Sequence, residues 1–191
     1  MSAPVLIDTD MGVDDAIAVA LSLCSRELDV VGLVSVGGNV HLEQATANIG
    51  RLLAGLGIER WPRMARGLDQ PVGLADATHV HGDDGLGTLD LPVPERMGVG
   101  HYIELYEAAI GEYGDVLNIV AIGPLTNLAA LLNERPGLLQ KVGRIVIMGG
   151  AIWAKGNVTP YAEFNFYRDP VAAAAVLGAG LPITLVSLDV T

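Results

Sequence analysis

The sequence is poor in cysteine, in aromatic residues and in positive charge. Its single cysteine, Cys24, excludes an internal disulfide. Only 11 Lys and Arg residues stand against 22 Asp and Glu residues, which gives a formal net charge of -11. Proteins that bind nucleic acids or anionic membrane surfaces need basic patches. We therefore expect neither a nucleic acid nor a membrane as a partner of this chain.

One uncharged run, residues 171–188, is as long as a transmembrane helix. Gly178, Gly180 and Pro182 interrupt this run, and its first half is mostly alanine. We therefore predict a helix, a turn and a buried strand there instead of a membrane span. The first residues lack the basic and apolar regions of a signal peptide. This absence favours a cytoplasmic location.

Short apolar runs alternate with segments of helical periodicity along the chain. Hydrophobic residues make up 51% of the sequence and charged residues 17%, which is typical of a globular protein. The apolar runs predict strands at 5–8, 30–36, 116–122, 145–148 and 183–188. Helices are predicted at 13–26, 41–56, 101–113, 128–132 and from Asp169-Pro170 onward. We predict one α/β domain over residues 1–191, a Rossmann-like fold with a mostly parallel sheet and helices on both faces.

The first predicted helix has apolar residues at helical spacing, namely Ile17, Ala20, Leu21 and Cys24. We therefore expect Cys24 to be packed and to have no catalytic role. Thr126 can cap the helix that follows it. Residues 67–100 and 151–161 are predicted to be irregular, and a loop as long as 67–100 is usually functional or mobile.

Polar residues gather where the predicted strands end. Asp8 and Asp10 follow the first strand, and Asn39 and Thr126 follow two others. In parallel α/β folds, ligands bind at the carboxyl ends of the strands. The sequence therefore predicts a binding site at this edge of the sheet.

Four aspartates, at positions 8, 10, 14 and 15, lie within the first strand-to-helix turn. Two charges ~5 Å apart repel by about 3 kcal/mol at an effective dielectric constant of about 20. One explanation is that the N–H groups of the first helical turn attract Asp14 and Asp15 while the other two are solvated. The other explanation, which we favour, is a hard divalent cation held by carboxylate oxygens.

The spacing of these aspartates excludes an EF-hand, because Gly12, Val13 and Val19 occupy its fifth, sixth and twelfth positions. A haloacid-dehalogenase-like phosphohydrolase also begins with Asp-x-Asp after a strand, and Asp8 would be its nucleophile. Gly12 replaces the Thr or Val that is usual in such enzymes, and the pair at 14 and 15 would have no role. We keep this class as an alternative.

The motifs resemble those of the inosine-uridine-preferring nucleoside hydrolases. The first block is Asp-Thr-Asp-x-Gly-x-Asp-Asp-Ala at 8–16. The later blocks follow in order at 37–39, 81–87, 123–127, 148–150, 157–165, 169–170 and 188–191. The resemblance runs from Val5 to Thr191. It implies an enzyme that hydrolyses the N-glycosidic bond of ribonucleosides to give ribose and free base.

The resemblance also implies a cofactor, Ca²⁺, and a set of site residues. Asp10 and Asp15 match calcium ligands through their side chains, and Thr126 matches one through its carbonyl. Asp10 matches the general base that takes a proton from a metal-bound water. Residues that match ribose ligands are Asp14, Asn39, Asn157, Glu163 and Asn165. Met148 would pack near the sugar, His81 would belong to a flap over the base, and the assembly would be a homodimer or homotetramer.

Several of these residues also have ordinary interpretations when each is taken alone. Asn157 and Asn165 suit turns, Glu163 suits a solvated loop, and Met148 suits a core. The Leu-Asp-Val-Thr segment at 188–191 is interpreted as structural, although Asp189 would lie at the binding edge of the sheet.

The resemblance implies a C-terminal part that this sequence lacks. That part carries a His-Asp pair, whose Asp completes the calcium shell and whose His lies beside the leaving base. The chain is then a fragment, which we favour, or a second polypeptide supplies the rest, or this is a short member without catalysis. The last explanation gives an alternative function, a non-catalytic module that binds nucleosides and calcium.

Overall fold

A sheet of parallel strands forms the centre of the molecule. The computed structural model describes residues 2–69, 77–87 and 89–191. Within these ranges the strands are β1 Ala3–Thr9, β2 Leu28–Ser35, β3 Arg63–Arg66, β4 Val99–His101, β5 Asn118–Ala121, β6 Arg144–Met148 and β7 Ile183–Val186. They pair in the order β4-β3-β2-β1-β5-β6-β7, and every pair is parallel.

The helices connect these strands and cover the sheet. They are α1 Val13–Cys24, α2 Leu42–Gly55, α3 Thr78–His81, α4 Tyr102–Tyr113, α5 Thr126–Glu134, α6 Phe164–Arg168 and α7 Pro170–Leu177. Asp169 caps α7 by accepting a hydrogen bond from the Ala172 N–H at 3.0 Å, as the Asp-Pro pair predicts. The predicted fold class, a parallel sheet between layers of helices, is confirmed.

The strands are apolar on both faces because helices pack on both sides of the sheet. Ile7 of β1 belongs to the core formed with α1 and α2, where it joins Val19 and Ile49. Leu6, one residue earlier, points to the opposite core and joins Tyr106 of α4. Burying one such side chain contributes about 1.5–3 kcal/mol. This two-sided burial explains why the strands read as continuous apolar runs.

The order of the strands places a crevice beside β1. The chain moves outward from β1 through β2 and β3 to β4, and then returns to place β5 on the other side of β1. The loops that follow β1 and β5 therefore leave the sheet in diverging directions. Such a switch point at the carboxyl ends of the strands is where open α/β sheets bind ligands.

Four elements lie outside the sequence-based prediction, namely β3, β4, α3 and α6. β3 is Arg-Met-Ala-Arg and buries only Met64 and Ala65, so no apolar run marks it. α3 and the first two residues of β4 fall inside the segment that was predicted to be irregular, 67–100, and His101 of β4 was predicted to begin the next helix. Residues 70–76 and 88 of that segment lie outside the described residues. The irregular segment 151–161 contains neither a helix nor a strand, as predicted.

The predicted packing of α1 is wrong. Ile17 is 58% exposed, Leu21 is 67% exposed, and Cys24 is exposed rather than packed. The helix is rotated so that Asp15, one residue before Ala16 on the buried face, points inward. The buried face of α1 therefore carries Asp15 with Ala16 and Val19, and not the predicted apolar stripe.

Residues 171–188 form most of α7, a turn and β7, as predicted. In the part of the chain that the structure describes, we find no helix with the length and apolar character needed to cross a membrane.

Candidate active site

The turn after β1 carries the central carboxylate, Asp10. The chain bends sharply at Met11, which has a φ of 45°, a left-handed conformation that is uncommon outside glycine. The Thr9 hydroxyl accepts a hydrogen bond from the Met11 N–H at 3.1 Å and donates one to Asp15 Oδ1 at 3.0 Å. These bonds fix the turn and place both carboxylates at the carboxyl end of the sheet.

Asp10 is completely buried, and its two oxygens differ in their partners. Oδ2 accepts a hydrogen bond from the Asn39 N–H at 2.8 Å. Oδ1 is the only buried side-chain nitrogen or oxygen without a hydrogen-bond partner among the described residues. A Cβ added to Gly38 would lie 2.1 Å from Oδ2, and one added to Gly123 would lie 3.2 Å from Oδ1. Two glycines therefore let the loops after β2 and β5 close on this carboxylate.

Asp15 shares the same environment. Its Oδ2 accepts hydrogen bonds from the Gly12 N–H at 2.9 Å and from Asn39 Nδ2 at 3.0 Å. Asn39 thus joins the two carboxylates, since its backbone binds Asp10 and its side chain binds Asp15. The bond from Gly12 shows that Asp15 also stabilises the first turn of α1, as one interpretation of the cluster suggests.

The electrostatics of this pair favour a bound cation. Burial, followed by the charge of Asp15, raises the pKa of Asp10 well above its usual value. Burial and the charge of Asp14 raise the pKa of Asp15 to about 7. Among the described residues, no Lys or Arg forms an ion pair with either carboxylate. A divalent cation beside them would offset both the burial and the repulsion.

The donor set fits calcium, although it is small. In residues 2–69, 77–87 and 89–191, no group of three or more His, Cys, Asp or Glu side chains could hold a metal. The ligands expected from the sequence are two carboxylates, Asp10 and Asp15, and the carbonyl of Thr126. Ca²⁺ accepts carbonyl as well as carboxylate oxygens, and Asp10 Oδ1 is the acceptor that the fold leaves without a donor. The residues therefore fit a hard cation.

Asp8 is not part of this centre. Its Oδ2 accepts hydrogen bonds from the Tyr106 hydroxyl at 2.6 Å and from Asn127 Nδ2 at 2.9 Å. Burial raises its pKa to about 6, and these two bonds only partly offset the rise. Because Asp8 is 1% exposed and faces α4 and α5, it has no access to a phosphoryl group. This position argues against the phosphohydrolase alternative.

An open cleft of about 580 Å³ lies at the carboxyl edge of the sheet. It brings together Asp15 and all seven residues that were predicted to bind substrate. The lining residues are Asp14, Asp15, Asn39, Ala77, Val80, His81, Ile122, Met148, Asn157, Val158, Glu163, Phe164, Asn165, Tyr167 and Arg168. Asp10 and Thr126 are not among them. Asp10 adjoins the cleft through Asn39, which lines it and binds the Asp10 carboxylate.

His81 lines the cleft from α3. Its Nδ1 accepts a hydrogen bond from the Val13 N–H at 3.2 Å and lies 3.8 Å from Asp14 Oδ1. Because Nδ1 accepts, the neutral ring carries its hydrogen on Nε2. A Cβ on Gly12 would lie 2.9 Å from this ring, so the glycine allows the close approach of α3.

The sequence from residue 5 to residue 191 matches the model of the inosine-uridine preferring nucleoside hydrolase family. The chain belongs to this family. It is 44% identical over 194 residues to the pyrimidine-specific ribonucleoside hydrolase RihA of Citrobacter koseri, an alignment that covers 100% of this chain and 62% of the relative. The chain thus spans about 62% of the length of the curated relatives that it matches.

Solved nucleoside hydrolases share the fold. The plant nucleoside hydrolase PpNRh1 superposes with a TM-score of 0.91 and 38% identity, covering 99% of this chain and 61% of that one. The purine-preferring ribonucleoside hydrolase from Gardnerella vaginalis gives a TM-score of 0.90 at 32% identity, covering 97% and 61%. The resemblance inferred from the sequence motifs is confirmed.

Within this chain, Glu163 is buried rather than solvated. Its Oε1 accepts the Asn165 N–H at 2.8 Å, and its Oε2 accepts the N–H groups of Gly150 at 2.8 Å and Phe166 at 3.1 Å. Asn165 Nδ2 donates to the carbonyls of Ile122 at 2.9 Å and Met148 at 3.2 Å, and so ties together the ends of β5 and β6. Both residues hold the backbone that surrounds the cleft.

The remaining predicted residues differ in burial. Asn157 is exposed on the irregular segment that lines the cleft, and Met148 is half-buried at the end of β6. Thr126 is the first residue of α5 and not its cap, a position that belongs to Leu125. The Thr126 hydroxyl donates instead to Asp169 Oδ2 at 2.8 Å. This bond joins α5 to Asp169, the cap residue of α7, so the Thr126 hydroxyl is engaged outside its own helix.

Sequence reasoning missed several residues around the site. Asn127, in the Gly-Pro-Leu-Thr-Asn motif, holds Asp8 and also accepts the Leu68 N–H at 2.8 Å. The presence of Asn127 in that motif was a signal that could have identified it. Arg168 lines the cleft and is 8% exposed, with its guanidinium 5.9 Å from the Phe164 ring. No spacing in the sequence marks it.

Proposed function

We propose that this chain hydrolyses the N-glycosidic bond of ribonucleosides to ribose and free base, in a calcium-dependent reaction. The observation that carries the proposal is the buried Asp10 carboxylate, whose Oδ1 has no hydrogen-bond partner and which adjoins the cleft. Family membership and the convergence of all seven expected substrate ligands on that cleft support it.

The side chains of Asp10 and Asp15 and the carbonyl of Thr126 would hold Ca²⁺, which would lower the pKa of a bound water and orient ribose hydroxyls. Asp10 would then accept the proton of the attacking water at Oδ1. A carboxylate within hydrogen-bond reach of that water can accept its proton, and the cation beside it would keep Asp10 ionised despite its burial. Asn39 fixes the positions of the two carboxylates relative to each other through its two hydrogen bonds.

The acidic and amide groups of the cleft suit a sugar that develops positive charge. Asp14, Asn39 and Asn157 would contact ribose hydroxyls directly, and Glu163 and Asn165 would do so from positions fixed by their backbone bonds. Negative groups stabilise the oxocarbenium-like charge that builds as the base leaves.

Met148 and His81 complete the proposed contacts. Met148 would pack against the sugar, and the Nε2–H of His81 would point a donor toward the base. Relatives include enzymes named pyrimidine-specific and purine-preferring, so we assign ribonucleosides as the substrate class and leave the base to measurement. We further propose a cytoplasmic homodimer or homotetramer that takes small nucleosides and neither nucleic acid nor membrane, in line with the net charge of -11.

The deciding experiment measures ribose release from inosine and uridine by the chain, with added calcium and after chelation verified by metal analysis. We expect release only with calcium, and a loss of about 10²–10⁴-fold in Asp10→Asn. Release that persists at zero bound calcium would contradict the proposed mechanism.

A second candidate is a non-catalytic module, because the chain covers 62% of its relatives' length. It predicts calcium-dependent binding of ribose or inosine without turnover. Calorimetric titration with ribose, run beside the ribose-release assay, distinguishes the two candidates. Turnover excludes the module, and binding without turnover favours it.

A further inference from the structure

One carboxylate outside the proposed calcium centre collects an unusual set of donors. Asp189 accepts the backbone N–H groups of Ile152, Trp153 and Ala154, each at 2.9 Å. The Ser187 hydroxyl donates to the same carboxylate at 2.7 Å. Three successive N–H groups that converge on one anion form a preorganised nest, and bonds to a charged acceptor are the strong ones.

Strand pairing brings Asp189 to this position. β6 and β7 remain paired beyond their ends, where the Gly149 N–H donates to the Val186 carbonyl at 3.1 Å and the Leu188 N–H donates to the Gly150 carbonyl at 3.0 Å. Asp189 therefore emerges directly beside the segment that leaves β6. We call residues 151–162 the cleft loop.

The cleft loop closes on itself and forms part of the cleft wall. The Gly156 N–H donates to the Pro160 carbonyl at 3.2 Å, and the Val158 N–H donates to the Ala162 carbonyl at 3.1 Å. Asn157 and Val158 lie in this turn and line the cleft. Glu163 accepts the Gly150 N–H just before the loop and follows its last residue. The location of the cleft loop therefore depends on two carboxylates. Glu163 binds the N–H of Gly150, and Asp189 binds the N–H groups of residues 152–154.

The side chains of Ile152 and Trp153 are not packed against the rest of the protein. The Trp153 side chain is 92% exposed and that of Ile152 is 60% exposed. Their backbone N–H groups nevertheless all bind Asp189. The bond from Ile152, followed by that from Ser187, lowers the pKa of Asp189 to about 2, so the anion is present at neutral pH. Hydrogen bonds to this carboxylate, and not buried apolar area, therefore fix the start of the cleft loop.

We propose that Asp189 is a positioning residue, which anchors the cleft loop through three backbone N–H groups so that Asn157 stands in the cleft wall for ribose binding. The part that concerns ribose rests on the proposed function. The anchoring of the loop does not, and it can be measured without substrate.

The anchoring is tested by amide hydrogen exchange of the full chain, resolved by NMR. Asp189→Asn keeps the size of the side chain and removes its charge and one acceptor. We expect the amides of 152–154 to exchange at least about tenfold faster than in the wild type, and the milder Ser187→Ala to speed the same amides less. Asp115→Asn, at an exposed aspartate before β5, is the matched control. Unchanged exchange at 152–154 in Asp189→Asn overturns the inference, whatever the protein does to nucleosides.

The ribose part is tested by a double-mutant cycle on uridine hydrolysis. We expect Asp189→Asn to raise KM about tenfold with kcat changed less than about twofold, since Asn157 would bind ground state and transition state alike. In the Asn157→Ala background the same change should have no further effect on KM. Additive effects, or a fall in kcat at constant KM, overturn positioning through Asn157. A wild type that neither binds nor cleaves uridine with calcium refutes the proposed function and this part together, while the exchange result still decides the anchoring.

Discussion

The aspartates at positions 8, 10 and 15 have different surroundings although the first and the last are only seven positions apart. Asp8 is satisfied by Tyr106 and Asn127 on the side of the sheet that α4 and α5 cover. Asp10 and Asp15 meet at the carboxyl end, where Asn39 joins them and one oxygen of Asp10 has no donor. One carboxylate therefore lies hydrogen-bonded in the core and two form the candidate cation site.

This division was not predictable from spacing. In a continuous strand, Asp8 and Asp10 would share a face, since side chains alternate with a period of two residues. β1 ends at Thr9, and the left-handed Met11 turns the chain away from the strand direction. Asp10 therefore leaves the plane of the sheet, while Asp8 keeps the orientation of Leu6. The sequence shows the four acidic residues but not the backbone turn that separates them.

Gly38 allows the proposed calcium centre to close. A Cβ at this position would lie 2.1 Å from Asp10 Oδ2, so Gly38→Ala has to displace the carboxylate. We expect calcium affinity, measured by isothermal titration, to fall by about 10–100-fold. Gly98→Ala is the matched control, because a Cβ there has no heavy atom within 4 Å. Equal affinities of the two variants would show that the contact with Gly38 does not shape the site.

Asp8 is expected to make the free energy of unfolding depend on pH. Its pKa is about 6 in the folded chain against an ordinary value of 3.8, so the folded state binds the extra proton between these values. The contribution to stability is present below the unfolded pKa and is lost as pH rises through the folded one. Asp8→Asn should remove this loss, which amounts to as much as about 3 kcal/mol.

The measurement is urea unfolding of both proteins without calcium, at pH values from about 4 to about 7. The wild type contains other buried carboxylates, but the difference between the two curves isolates position 8. We expect the variant to gain stability relative to the wild type as the pH rises. Parallel curves would mean that Asp8 titrates alike in the folded and unfolded states.

At the scale of elements, burial of apolar side chains made most of the sheet predictable. The strands β1, β2 and β5 read as apolar runs because cores lie on both sides of them, and β6 and β7 contribute apolar residues to one core. β3 and β4 are short and lie at one margin of the sheet, so only a few of their residues need to be apolar. α1 was located correctly, but the face predicted to be buried was wrong. That prediction considered apolar residues alone, whereas the buried face includes Asp15.

The helix α4 contains a glycine that packing does not require. Gly111 is exposed, and a Cβ there would meet no heavy atom within 4 Å. We expect Gly111→Ala to raise the free energy of unfolding by about 1 kcal/mol, since alanine loses less backbone entropy in a helix. Urea unfolding measures this gain.

The comparison for that variant is Gly50→Ala in α2. A Cβ at Gly50 would lie 2.1 Å from Met97 Sδ and 3.3 Å from Pro94 Cγ. The entropic gain there is offset by the displacement of these side chains. A gain at position 50 as large as that at position 111 would contradict the steric explanation.

At the scale of the whole molecule, topology assembles what lies far apart in the chain. The return of the chain to place β5 beside β1 brings the loop at Gly123 against Asp10. The carboxyl-end rule predicted this edge from the polar residues that follow the predicted strands. The full set of site residues came from the motif resemblance, and the structure places Asp15 and all seven residues expected to bind substrate at one cleft. The contacts of Arg168 and Asp189 are tertiary, and no local pattern in the sequence records them.

Calcium is expected to stabilise the whole chain, because the fold brings two buried carboxylates together without a Lys or Arg partner among the described residues. At calcium about 100 times Kd, binding to the folded state alone contributes about 2.7 kcal/mol, which corresponds to a rise in Tm of about 5–10 °C. Asp10→Asn removes one buried charge, so the Tm of this variant without calcium should be higher than that of the wild type. Calcium should then raise the Tm of the variant little further. Differential scanning calorimetry of both proteins, with Asp115→Asn as the control for lost charge, measures these shifts. An equal calcium shift in the wild type and in Asp10→Asn would place the cation elsewhere, and the acidic pair would then need another explanation.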